Sequence, residues 1–209
     1  MKMRGVLLAV LSTIFLSATS HATITGAWWW DDGDGGLVCS STNWNAGTGV
    51  LSMSGVQNWG PGHMNGTITT SDPQDPLLTL ASDIENDTNF AWSAYTVNVY
   101  MNNTFTLLNA SIFAPPDWSV AGVVEPSTPL VSGPYAGDYE ATINLSSGTA
   151  VAIGDDIGFQ YQLQFSGASH FAFTQEVIPI AVPEPGTLAL VAMSGLLFVG
   201  GTLARRRRY

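Results

Sequence analysis

Phe159-Gln160-Tyr161-Gln162-Leu163-Gln164-Phe165 decides the fold. Four apolar side chains alternate with three glutamines, the period of a strand with one face buried and the other wet. The same alternation recurs outward along the chain. Tyr139, Ala141, Ile143 and Leu145 alternate with Glu140, Thr142 and Asn144; Tyr95, Val97, Val99 and Met101 alternate with Thr96, Asn98 and Tyr100. Further strands are expected at residues 50–56, 66–70, 77–82, 104–113, 150–153 and 171–180. Turn signals separate them: Asp72-Pro73, Asn102-Asn103, Pro115-Pro116-Asp117, Ser132-Gly133-Pro134, Ser147-Gly148 and Gly154-Asp155-Asp156. The middle has no segment of helical period, and its connections are too short for βαβ crossovers. The expected class is all-β, an antiparallel β-sandwich of Ig-like or jelly-roll-like form. Residues 77–181 read as the sandwich proper. Residues 23–76, richer in Gly and Trp, read either as extra strands of it or as an irregular lead-in.

Charge excludes whole classes of partner. The chain has 209 residues, with 6 Lys+Arg against 16 Asp+Glu. Its basic residues are Lys2, Arg4, Arg205, Arg206, Arg207 and Arg208, all at the two ends. Residues 23–182 hold fifteen of the 16 acids and no Lys or Arg, a formal charge of −15. A surface of that sign repels phosphate, so nucleic acid and anionic lipid headgroups are excluded as partners of the middle region.

The ends read as addresses. Lys2 and Arg4 precede an apolar run at residues 6–16, and Ser20-His21-Ala22 offers small residues at −3 and −1 of a cut between Ala22 and Thr23. That is a secretory signal peptide at residues 1–22, a substrate for the Sec translocon and signal peptidase. At the far end residues 187–204 contain no charge. As a helix this stretch is about 27 Å long, enough to cross the inner membrane once. Arg205, Arg206, Arg207 and Arg208 then stop transfer on the cytoplasmic side and leave the acidic region outside. Just before the span, Pro183-Glu184-Pro185 is barred from helix, because each proline removes an amide donor and extends its predecessor.

Pro183-Glu184-Pro185, a hydrophobic helix and a terminal arginine cluster together resemble the PEP-CTERM sorting signal of Gram-negative bacteria. The resemblance covers residues 182–209 only. It implies processing by an exosortase, a membrane-embedded thiol protease, near the Pro-Glu-Pro, and release or transfer outward in cells that make exopolysaccharide. The implied path runs from a transient inner-membrane anchor, with the domain on the periplasmic side, to the cell surface or surroundings.

Candidate chemistry in the middle is sparse. Cys39 is the sole cysteine, so no internal disulfide forms, and it reads as a small buried apolar residue. Histidines number three, one of them (His21) in the leader, which is few for zinc. Glu85, Glu125, Glu140 and Glu176 offer carboxylates for a glycosidase pair, without a motif that selects two. Enzymatic activity is therefore not expected, and no cofactor is required. Calcium is the candidate cation. Asp31, Asp32 and Asp34 sit on a glycine-rich turn, and Asp83, Glu85 and Asp87 share one face if that segment is extended. Trp28-Trp29-Trp30 cannot all face inward on a strand, so Trp29 or the pair around it is exposed. Exposed rings beside Asn and Asp suit stacking on sugars; the competing reading buries them as a cap on the sandwich. The expected function is a structural or adhesive component of the envelope or exopolysaccharide matrix. A carbohydrate-binding module is the first alternative and a carboxylate-dependent glycoside hydrolase the second.

Overall fold

The computed structural model describes residues 22–72, 75–165 and 167–183. Most of the expected signal peptide, Glu184, Pro185, the expected span at 187–204 and the four terminal arginines lie outside the described residues. No helix among the described residues is long and apolar enough to cross a membrane. Ala22 is buried, and Thr23 and Pro183 are exposed.

Among the described residues, eleven strands form two sheets. In chain order they are β1 (Ile24–Asp31), β2 (Leu37–Asn45), β3 (Val50–Gln57), β4 (Gly62–Thr70), β5 (Leu77–Asn86) and β6 (Trp92–Met101). There follow β7 (Phe105–Ala114), β8 (Ser119–Val124), β9 (Tyr139–Val151), β10 (Asp156–Phe165) and β11 (His170–Ala181). One sheet has the order β1-β4-β11-β6-β9-β8, the other β2-β3-β5-β10-β7. Their facing sides make the core. From the six-stranded sheet come Met64, Ile68, Tyr95, Val97, Val99, Ile143, Leu145, Phe171 and Val177; from the other, Leu51, Leu78, Leu80, Ile84, Phe159, Tyr161 and Leu163. Each apolar set recurs every second residue, so one register exposes the polar partners and buries the rest.

Of the two readings of residues 23–76, the structure has the extra strands: four full strands, two to each sheet, so the sandwich extends back from Leu77 to Ile24. Two expectations need correction. The pairing is not wholly antiparallel, because β3 runs parallel to β5, from Val50 beside Thr79 to Gln57 beside Asn86. The connection is made by β4, which crosses to the other sheet and returns, so no helix is needed. Finally, residues 139–151 form one long strand, not two.

Two polar bridges cross the apolar interior. The Tyr95 hydroxyl on β6 donates to Gln57 Oε1 on β3, and Gln57 Nε2 donates to the Val177 carbonyl on β11 at 3.2 Å. Gln175 on β11 receives the Tyr161 hydroxyl of β10 and donates to Ser82 Oγ on β5 at 3.3 Å. Gln57 and Gln175 are fully buried, and these bonds satisfy them.

Candidate functional site

The outer face of the six-stranded sheet carries a polar ladder over four strands. Cross-strand pairing places His63 of β4 opposite Glu176 of β11, Glu176 opposite Asn98 of β6, and Asn98 opposite Thr142 of β9. Side chains directly opposite one another on one sheet face are within contact range. Here they bond in sequence: Thr142 Oγ1 donates to Asn98 Oδ1 at 2.9 Å, and Asn98 Nδ2 to Glu176 Oε2 at 2.8 Å. His63 Nε2 stands 3.3 Å from Glu176 Oε1. Tyr100 also donates to Glu176 Oε2, at 2.9 Å. Burial first, then the hydrogen bonds and charges of Glu176 and Glu140, push the Tyr100 phenol far above its ordinary range. Tyr135, from the β8–β9 connection, stacks on Tyr100 with ring centroids 3.9 Å apart.

The β1–β2 turn closes one end of this ladder. Gly33 and Gly35 take φ of 79° and 86°, left-handed values that a side chain resists. Asp31 is consumed in holding the turn, its Oδ1 accepting Gly33 N at 3.1 Å and its Oδ2 accepting Cys39 N at 3.0 Å. Asp32 Oδ1 accepts Asp34 N at 3.1 Å, and Asp34 Oδ1 accepts Gly36 N at 2.6 Å. The β3–β4 turn docks beside it, with Asn58 Nδ2 donating to the Gly35 carbonyl at 2.9 Å. The Trp59 indole lies over Gly35 and Gly36 and stays 52% exposed.

The turn brings Asp32 to His63: Asp32 Oδ2 lies 3.3 Å from His63 Nδ1. One donor atom each from Asp32, Asp34 and His63 falls within 4.8 Å of the others. Asp31 faces elsewhere. The second acidic set behaves differently. Asp83 and Glu85 do share the outer face of β5, opposite Gly158 and Asp156 of β10, and Asp87 follows the strand end. Burial, then the charge of Asp156, holds the Asp83 carboxyl above its usual range. Among the described residues, this trio is not gathered to ligand spacing as Asp32, Asp34 and His63 are.

The tryptophans divide as strand geometry requires. Trp29 is 4% exposed and packs on Phe173 at a centroid separation of 5.8 Å, so it cannot stack on a sugar. Trp28 and Trp30, 57% and 47% exposed, stand on the outer face opposite Thr67 and Asn65. Trp28 leans over Gly26, where an added Cβ would lie 2.5 Å from its Cη2.

Other sequence candidates are scattered. Glu125 Oε2 accepts Leu107 N at 3.0 Å. Glu140 and Glu176 meet only around Tyr100, and Glu85 lies on the opposite sheet. Cys39 is half-buried, not enclosed, and burial raises its thiol pKa. His170, with His63 one of the two histidines beyond the leader, is exposed at the start of β11. Sequence reasoning missed His63, Asn98 and Tyr100 as neighbours of Glu176. Only the alternation in β6 hinted that Asn98 and Tyr100 share a face. No protein-family model, curated protein or solved structure matches this chain.

Proposed function

We propose that this chain is an exported, non-enzymatic β-sandwich that serves as a structural or adhesive component of the cell envelope or exopolysaccharide matrix, holding polysaccharide on the outer face of its six-stranded sheet. One observation carries the reading: Trp28 and Trp30 project side by side from edge strand β1, next to the amide of Asn65 and the hydroxyl of Thr67. Ring faces suit pyranose C–H groups, and neutral amides and hydroxyls suit sugar hydroxyls. The strand orders β4-β11-β6-β9 and β5-β10-β7, with a chain that alternates between sheets, support the jelly-roll-like form over the Ig-like one. Lectin domains use that form, although fold alone assigns no function. The non-enzymatic reading draws support from Glu140 and Glu176, whose shared contact Tyr100 is 6% exposed beneath Tyr135.

Delivery rests on the ends of the chain. The signal peptide starts translocation, the span at 187–204 halts it with the arginines inside, and Pro183-Glu184-Pro185 is presented to an exosortase. Replacement of all three by alanine traps the full-length form in the inner membrane, read by fractionation and intact mass; unchanged release contradicts the sorting reading. For the sheet face, glycan arrays and pull-down on exopolysaccharide test the Trp28→Ala/Trp30→Ala double variant. Binding that survives in a folded double variant sinks the proposal.

A further inference from the structure

The His63 imidazole lies between two carboxylates, one facing each nitrogen. Glu176 Oε1 stands 3.3 Å from Nε2, and Asp32 Oδ2 stands 3.3 Å from Nδ1. A neutral imidazole has one N–H and one lone pair. Glu176 is fixed independently of His63, since its other oxygen accepts Asn98 and Tyr100. In the neutral ring Glu176 would take the Nε2 proton, which would leave the Nδ1 lone pair aimed at Asp32. Nδ1 is shut off from solvent and makes no aligned hydrogen bond. A lone pair facing a carboxylate without a donor between them is repulsive, unless an electrophile sits there.

The spacing suits a metal. Two ligands bound at about 2.0–2.1 Å in tetrahedral geometry stand roughly 3.4 Å apart, close to the separation of Nδ1 and Asp32 Oδ2. Asp34 follows on the same turn, its carboxylate oriented by the Gly36 amide. With no Lys or Arg in residues 23–182, the only side chains there able to carry positive charge are His63 and His170. We infer that Asp32, Asp34 and His63 bind a divalent transition-metal cation of the zinc class, with Glu176 as the positioning carboxylate that sets the tautomer and orientation of His63. A carboxylate–imidazole–metal chain of this kind is how protein metal sites orient their histidines. The imidazole ligand displaces calcium as the candidate ion, because calcium calls for six to eight oxygens. It also reverses the expectation drawn from the histidine count: one histidine suffices when two aspartates complete the set. The ion would pin the β1–β2 turn, which links the two sheets, onto β4 and β11.

The test is calorimetric titration of the chelator-stripped, full-length protein with Zn²⁺ alone and Ca²⁺ alone. One equivalent of Zn²⁺ is expected, bound more tightly than Ca²⁺, with a rise in melting temperature on saturation. His63→Gln and Asp34→Asn each weaken binding at least about tenfold, and Glu176→Gln weakens it by about 10–100-fold. Cobalt in place of zinc gives a visible ligand-field band that His63→Gln alters. Asp34→Asn keeps the Oδ1 acceptor of the turn, so it decides the matter if the His63 variant fails to fold. Absence of saturable Zn²⁺ binding overturns the inference, as would follow if His63 were simply a doubly protonated imidazolium. So does binding that the two variants leave unchanged, or Ca²⁺ bound as tightly as Zn²⁺.

Discussion

The Tyr161 hydroxyl on β10 donates to Gln175 Oε1 on β11 at 2.7 Å, joining the two sheets through the centre of the core. Both residues are fully buried. Loss of either partner strands a polar atom where water does not reach, at a cost of about 1–3 kcal/mol. Tyr161→Phe and Gln175→Leu are each expected to destabilise by that amount in denaturant unfolding. The double variant should lose less than the sum, because it removes donor and acceptor together. Strict additivity would show that the bond contributes nothing as a pair.

Alkali should unfold the protein through its phenols. Burial raises Tyr95 and Tyr161 well above the ordinary tyrosine range, and burial followed by Glu176 does the same to Tyr100. The sign follows from linkage: the unfolded chain releases these protons near pH 10, while the folded chain keeps them. Their contribution is whole below about pH 10 and is lost as the pH rises beyond it. Tyrosinate absorbance and circular dichroism are expected to change together, and stability should fall less steeply with rising pH in Tyr161→Phe than in wild type. Phenols that ionise below that pH while the fold persists would contradict the burial assignment.

The three adjacent tryptophans should separate stability from binding. Trp29→Ala empties a core position and costs about 3–5 kcal/mol. Trp28→Ala and Trp30→Ala leave melting nearly unchanged and each remove about 0.5–1.5 kcal/mol of stacking, seen as weaker retention on polysaccharide. Gly26→Ala pushes the Trp28 ring from its bed, so it should weaken binding with the core intact. A Trp29 variant that melts like wild type would mean that the inner face has been misassigned.

Asn86 sits in an Asn-Asp-Thr triplet yet is fully buried. Its Nδ2 donates to the carbonyls of Phe90 and Val151, and its Oδ1 accepts the Thr88 amide and hydroxyl. The Trp92 indole in turn donates to Thr88 Oγ1 at 3.0 Å. Thr88→Val leaves the Trp92 indole nitrogen without its acceptor and should destabilise by about 1–3 kcal/mol. Intact mass should find no sugar on Asn86 of the folded protein; a modified Asn86 would refute its enclosure.

What was legible in the sequence follows from burial. β6, β9, β10 and β11 lie inside their sheets with one face in the core, so their side chains alternate visibly. β2 and β8 were silent because both are edge strands, paired on one side and largely exposed, and they place Ser, Thr, Asn and Gly without a period. In β4 the inward position Gly66 makes room for the Phe173 ring, so the alternation that marks a strand is interrupted by its own packing partner. Of the candidate metal set, Asp32 and Asp34 were readable as a turn. His63 was not, because only the pairing of Asp31 with Met64 carries it there across some 30 residues.

The absence of Lys and Arg from all eleven strands and the turns between them has a last consequence. A trypsin-type protease needs a cationic side chain beside the bond it cuts. It finds none in residues 23–182, whether the sandwich is folded or open. The sandwich thus resists such enzymes by composition alone, before its stability is ever called upon.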